Sequence, residues 1–233
     1  MHRFFIGQKL EEGMTFECPK EIGRQIVTVL RMKPEEMVVF FDGSGYEFKV
    51  KIKEIIRKKN CVLEIMSSDI PNREPKRRLT LFQSFIKKSR FEWMLEKGVE
   101  VGISEFVPII TERSLKKGFN RERYEKIIKE AAEQSGRVFL PKITKLMSVG
   151  EAIEYASMYN NQIFFSSFEH YDSDRVTAYP SRTHVALFIG PEGGWTKDEI
   201  EKARRAGSFL ISLGKLTLRS ETAAVVASYQ LLH

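Results

Sequence analysis

Three segments late in the chain carry the residues best suited to chemistry. They are Phe165-Ser166-Ser167-Phe168-Glu169, Ile189-Gly190-Pro191-Glu192-Gly193-Gly194-Trp195, and Leu213-Gly214-Lys215-Leu216-Thr217-Leu218-Arg219-Ser220-Glu221-Thr222. Glycine lets a backbone approach a ligand closely or adopt positive φ, so Gly190, Gly193, Gly194 and Gly214 would let main-chain groups grip a flat polar molecule. One Gly-Gly turn serves equally well as a tight strand-to-helix connection. Three such segments in register with strand ends point more strongly to a pocket. Arg219 and Glu221, between a glycine turn and a helix, either form a structural ion pair or act on a substrate. His184 could be a base, although a hydrogen-bonded histidine before a strand is commoner. The chain has no phosphate-binding loop, no G-x-G-x-x-G fingerprint and no G-x-S-x-G elbow, so Ser-His-Asp chemistry has no support. Four histidines and two cysteines are scattered, with no metal-ligand spacing.

These segments need strands and helices to place them. From Leu79 the pattern alternates. Strands are predicted at Leu79–Phe82, Phe106–Ile110, Ile163–Phe165, Val185–Ile189 and Phe209–Leu213. Helices are predicted at Lys88–Val101, Arg121–Gln134 and Ser148–Ala156. Another helix opens on the capping box Thr196/Glu199 and stops at Gly207, and a last one is capped by Ser220 and runs through Leu232. That order implies a mostly parallel sheet with helices on both faces. In such sheets ligands bind beyond the C-terminal strand ends, where the three segments fall.

Residues 14–68 read as strands. Val27–Leu30 and Met37–Phe41 are β-branched or aromatic runs, and Asp42-Gly43-Ser44-Gly45 punctuates a hairpin. Tyr46, Phe48, Val50 and Ile52 then alternate with charged residues, the period of a half-buried strand. A basic turn, Arg57–Asn60, leads to a strand over Cys61–Met66. Several short strands in this stretch argue for a small β-barrel over residues 1–70. Asp69–Lys76 reads as a linker to an α/β domain over 76–233.

Composition narrows the class. The chain of 233 residues is 42% hydrophobic and 30% charged, a folded protein's balance. No apolar run approaches the length of a membrane span, and no signal peptide is evident. The net charge is +7. Residues 1–75 carry 13 positive and 12 negative side chains, whereas residues 76–145 carry 17 and 9. A basic central region suggests a polyanionic partner, usually nucleic acid.

Gly190–Gly194 followed by Leu213–Ala223 resembles the signature of the SPOUT methyltransferases. More closely, it is similar to the bacterial family that methylates N3 of a uridine in 16S ribosomal RNA. The resemblance runs nearly the whole chain. It includes Arg3-Phe4-Phe5, Val29-Leu30-Arg31, and Lys97–Ile103 against K-x-x-E-L-G-V. It continues with Arg113-Ser114, then Glu130–Arg137 with Pro141 against E-A-x-x-Q-x-x-R-x-x-x-P. The chain departs from the pattern where Arg24 and Gln25 stand near a usual histidine, and where Thr217-Leu218-Arg219 replaces I-L-R.

The resemblance implies an N-terminal PUA-like β-barrel that binds RNA and a C-terminal α/β trefoil-knot domain. It implies S-adenosylmethionine as cofactor, held largely by backbone groups of Phe165, Ser166, Ser167, Glu169, Ile189, Gly190, Pro191, Glu192, Gly193, Gly194, Leu213, Gly214, Leu216 and Leu218. It also implies a homodimer, no metal, no membrane and a cytoplasmic location, with 16S ribosomal RNA in the small subunit as substrate. Neutral uridine N3 is a poor nucleophile, so a cation near O2 or O4 would stabilise its anion. Arg219 is expected in that role, with Glu221 or Glu192 orienting it or taking the proton. Arg3, Arg24, Arg31, Lys33, Arg77 and Arg78 are expected RNA contacts. Ribose 2′-O methylation and a non-catalytic ribosome-assembly role remain the alternatives.

Overall fold

The computed structural model describes residues 1–57, 59–114, 118–158, 162–166 and 183–233. The chain divides into two units, Met1–Glu74 with Ala132–Leu140, and Pro75–Ala131 with Pro141–His233.

The first unit holds β1 (Arg3–Phe5), β2 (Thr15–Glu17), β3 (Met37–Phe41), β4 (Glu47–Ile56) and β5 (Asn60–Asp69). They form one sheet in the order β1-β3-β4-β5-β2, antiparallel except for β1 beside β3. Along β4 the alternation sends Phe48, Val50 and Ile52 into the core and leaves Lys49 and Lys53 outside. The β3–β4 hairpin is organised by Asp42, whose carboxylate accepts from Ser44 N at 2.9 Å. Gly45 lies in this loop at φ +98, and a Cβ there would stand 3.0 Å from the Phe139 ring.

Val27–Leu30 is not the expected strand. α1 (Lys20–Arg24) runs on into a π-helical turn, Gln25–Val29, in which Leu30 N donates to Gln25 O at 2.9 Å. Ile22 and Ile26, four residues apart, are both buried, while Val29 is 68% exposed. Burial of one helical face overrides the β preference of the valines.

Cys18 and Cys61 are free and buried in the same core. Arg3 is held inward. It donates to Glu47 at 2.7 Å and to Arg137 O at 3.1 Å, and Arg73 also bonds Glu47.

The second unit is an all-parallel sheet in the order β12 (Phe209–Ile211), β10 (Gln162–Ser166), β11 (His184–Ile189), β6 (Arg78–Ser84), β7 (Glu105–Ile110) and β8 (Lys142–Ile143). β9 (Met147–Ser148) also pairs with β7. Phe82, Phe188 and Phe165 fall in register on β6, β11 and β10, and their rings stack at 4.2 Å across both gaps. α4 (Val149–Met158) and α5 (Lys197–Arg205) share this aromatic core through Val149, Ala152 and Ala203. α6 (Ser220–Leu232) packs against β6, β11 and α2 (Lys88–Glu100), and α3 (Arg121–Ser135) follows β7. Strands with both faces buried explain the unbroken apolar run Val185–Ile189.

The capping box of α5 is present. Thr196 Oγ1 accepts from Glu199 N at 3.3 Å, the Glu199 carboxylate accepts from Thr196 N at 2.9 Å, and Gly207 follows the helix at φ +72. Most boundaries move by a residue or a few, and two of the differences bear on the site. β12 stops at Ile211, and the N-cap of α6 is Arg219, with Ser220 already helical. Among the described residues no helix is long and apolar enough to cross a membrane, and no cluster of potential metal ligands occurs.

Candidate active site

β12, β10 and β11 are neighbours in one parallel sheet, so the segments that follow them leave from the same edge. After β11 the chain closes a turn in which Gly194 N donates to Pro191 O at 2.9 Å and Gly194 has φ +70. Trp195 then folds back, its Nε1 donating to Ser166 O at 2.8 Å and its ring 5.1 Å from that of Phe165. A Cβ on Gly190 would stand 3.0 Å from the Trp195 indole, so glycine is what permits this close approach. The turn is thereby fixed to the end of β10.

A second tie reaches α6. Ser220 Oγ donates to Gly190 O at 2.7 Å and accepts from Gln83 Nε2 at 2.8 Å. Gln83 Nε2 also donates to Ser84 O at 3.0 Å, which fixes the orientation of its amide. Because Leu213–Arg219 leads straight into Ser220, this chain of hydrogen bonds joins the end of the third segment to the start of the second. The expected cap role of Ser220 is corrected by the same geometry: its hydroxyl serves the β11 turn instead of the helix N-terminus.

Charge collects at this junction. Arg219 takes the extended N-cap conformation, its carbonyl accepting from Ala223 N at 2.8 Å. Its side chain is exposed and makes no ion pair among the described residues. Glu221 is 7% exposed, and its Oε2 has no hydrogen-bond partner among the described residues. Arg90, on α2, places Nε 3.7 Å from Glu221 Oε1 and also bonds the Glu192 carboxylate. Arg113 donates to Gly193 O at 2.6 Å, and Glu112 N donates to Glu199 at 3.0 Å. Gln83 Oε1 is a second buried acceptor without a partner among the described residues.

The remaining expected residues are placed as follows. Phe165, Ile189, Gly190 and Pro191 are buried, and the Phe165 ring is committed to the aromatic stack. Ser166 gives its carbonyl to Trp195. Glu192 and Gly193 are exposed, Leu213 and Leu218 are half-buried, and Gly214 and Leu216 are exposed. Ser167 and Glu169 lie outside the described residues. In the first unit Arg24, Arg31 and Lys33 are exposed, unlike Arg3. In the second, Arg78 is exposed and Arg77 donates to Leu231 O at 3.1 Å.

Sequence reasoning had no sign of Arg90 and no role for Gln83, while Trp195 and Arg113 stood only as members of a segment and of a motif, without a function. Gln83 did carry a signal, as a polar side chain inside an apolar strand.

A family model described as an RNA methyltransferase domain matches residues 72–232, and one described as an RNA methyltransferase PUA domain matches residues 21–66. The ribosomal RNA small subunit methyltransferase E of Bacillus subtilis is 30% identical over 253 residues, covering 99% of this chain and 97% of its own. A crystal structure of ribosomal RNA small subunit methyltransferase E from Neisseria gonorrhoeae, bound to S-adenosyl methionine, is similar at 31% identity. Its TM-score is 0.90, with 98% of this chain and 95% of that chain covered. A Legionella pneumophila protein solved in complex with the same cofactor is 30% identical, with a TM-score of 0.86 and coverage of 98% and 96%. The architecture is therefore a PUA-like β-barrel followed by an α/β trefoil-knot unit.

Proposed function

We infer, because this chain belongs to the RNA methyltransferase family, that it methylates N3 of a specific uridine in 16S ribosomal RNA, using S-adenosylmethionine. The observation that carries the reading is the junction of the 190–194 turn with the 213–221 segment beside a buried carboxylate. The residues there suit a cationic cofactor. Among the described residues Glu221 Oε2 and Gln83 Oε1 are buried acceptors without partners, open to a donor or a positive centre. Gly190–Gly194 and Leu213–Leu218 would hold the cofactor, with Phe165 and Ser166 contributing backbone only. When bound, the sulfonium supplies an activated methyl group.

The chain must then make uridine N3 nucleophilic. The exposed Arg219 guanidinium is the donor for O2 or O4, stabilising the anion left when N3 loses its proton. Glu221 has the unpartnered oxygen and takes that proton, directly or through water. Glu192, on the exposed side of the turn, is held by Arg90 and not by Arg219, and is left to orient the base. Arg24, Arg31 and Lys33 on the first unit contact RNA phosphates, while Arg3 is held by Glu47 and supports the barrel. The chain acts as a homodimer in the cytoplasm. Support for the dimer comes from Trp93 and Tyr229, large exposed side chains on the paired helices α2 and α6, and from Leu216 at 83% exposure.

Methyl transfer to purified small subunits, with the product digested and weighed, tests the reading. Methyl on uracil N3 is expected; methyl on ribose, or saturable RNA binding with no transfer, refutes it. Arg219→Ala should lose about 10²-fold or more in turnover, the usual cost of removing a donor to a developing oxyanion, while calorimetric cofactor affinity is kept. Unchanged turnover would remove Arg219 from its role.

A further inference from the structure

Arg90 belongs to none of the three loop segments. It sits in the first turn of α2, directly after β6, yet its side chain reaches both acidic residues of the site. Its guanidinium bonds Glu192, on the turn after β11, and its Nε lies 3.7 Å from Glu221 Oε1, in the first turn of α6. One side chain thus spans two loops that the sheet brings together. The two carboxylates need it for different reasons. The Glu192 side chain is 57% exposed, so without an anchor it would sample several rotamers. The Glu221 side chain is 9% exposed, and a buried carboxylate without a nearby cation pays a large desolvation penalty. Arginine's planar fork of donors can serve both acids at once, which a single ammonium cannot do with the same geometry.

We propose that Arg90 is a positioning residue of the methyl-transfer site, fixing Glu192 and Glu221 from α2. The proposal rests on the methyltransferase reading above. Arg90 acts through the two acids, so its loss should slow the chemical step and leave cofactor binding nearly intact.

Steady-state methylation of purified small subunits is measured for wild type, Arg90→Ala, Arg90→Lys, Glu192→Gln and the Arg90→Ala/Glu192→Gln double variant, with melting temperatures alongside. Arg90→Ala should lower kcat about tenfold, within the range of coupling measured for contacting charged groups, and move KM for S-adenosylmethionine by less than about threefold. Arg90→Lys should recover part of kcat, since charge returns without the fork. The double variant should be no more than about twofold slower than the slower single variant, because both changes break one contact. Wild-type kcat in Arg90→Ala, a loss confined to KM, or losses that multiply in the double variant would overturn the proposal. If Arg90→Ala is too unstable to assay, the Arg90→Lys variant decides: full wild-type kcat and KM there, with the fork gone, also overturns it. A wild-type enzyme that transfers no methyl group would instead sink the methyltransferase reading itself.

Discussion

Replacing Ser220 by alanine removes a single oxygen at the point where the loops of the site are joined. Ser220 is 2% exposed, and its hydroxyl both donates to Gly190 O at 2.7 Å and accepts from Gln83 Nε2 at 2.8 Å. The amide of Gln83 keeps its bond to Ser84 O, so the main loss falls on the Gly190 carbonyl. A buried polar group left without its partner costs about 1–3 kcal/mol. Alanine returns about 0.5 kcal/mol through better helix propensity in the first turn of α6. The net destabilisation is about 0.5–2.5 kcal/mol, and for a chain of this size each kcal/mol shifts Tm by about 2–4 °C. Thermal unfolding followed by circular dichroism should therefore show Tm lower by about 1–10 °C. Calorimetry should show weaker S-adenosylmethionine binding, because the 190–194 turn and the 213–219 segment are no longer tied. A Tm within about 1 °C of wild type, together with unchanged affinity, would refute the view that this hydroxyl holds the site together.

Two further expectations test other contacts. Gly190→Ala places a Cβ 3.0 Å from the Trp195 indole, so the ring must shift and its bond to Ser166 O must weaken; tryptophan fluorescence should change and cofactor affinity fall, and an unchanged emission spectrum would contradict the packing. Burial alone would raise the Glu47 carboxyl, but Arg3 and then Arg73 outweigh it and hold the group below its ordinary 4.5. A depressed folded value means the stabilisation is complete above the unfolded value and is lost as pH falls through the folded one. Glu47→Gln should therefore be less stable than wild type at neutral pH, with the gap closing in acid; parallel stability curves across that range would contradict it.

Much of the framework was legible because it rests on local periodicity. The alternation along Glu47–Ile56, the capping box at Thr196 and Glu199, and the apolar run Val185–Ile189 each state their element within a few residues. The misreading of Val27–Leu30 has a definite cause. The valines argue for a strand, but the spacing of Ile22 and Ile26 carries the burial, and a fifth-residue hydrogen bond accommodates the turn. The paired strands Lys142–Ile143 and Met147–Ser148 are too short to show any period. Nothing in the composition of Ala132–Leu140 marks it as packing with the first 74 residues; its ties there are Arg137 to Glu74 at 2.8 Å and Phe5 N to Glu133 at 2.9 Å.

The site divides along the same line. Glycines that permit close backbone approach announce themselves by type, so the turn at Gly190–Gly194 could be found by reading alone. The side chains that hold the turn could not. Gln83 meets Ser220 across 137 residues, Arg90 meets Glu192 across 102, and Arg113 meets Gly193 across 80. Each partner is an ordinary polar residue until the parallel sheet sets β6 beside β11. Ser220 shows the ambiguity best, since a serine ahead of a helix satisfies the local rule for a cap and the fold uses it elsewhere. In the proposed reading the glycine segments supply the surface the cofactor touches, while side chains from β6 and α2 hold the turn and the acids beside it. Substitutions at Gln83 or Arg90, far from the loops in sequence, should disturb the site as directly as substitutions within them.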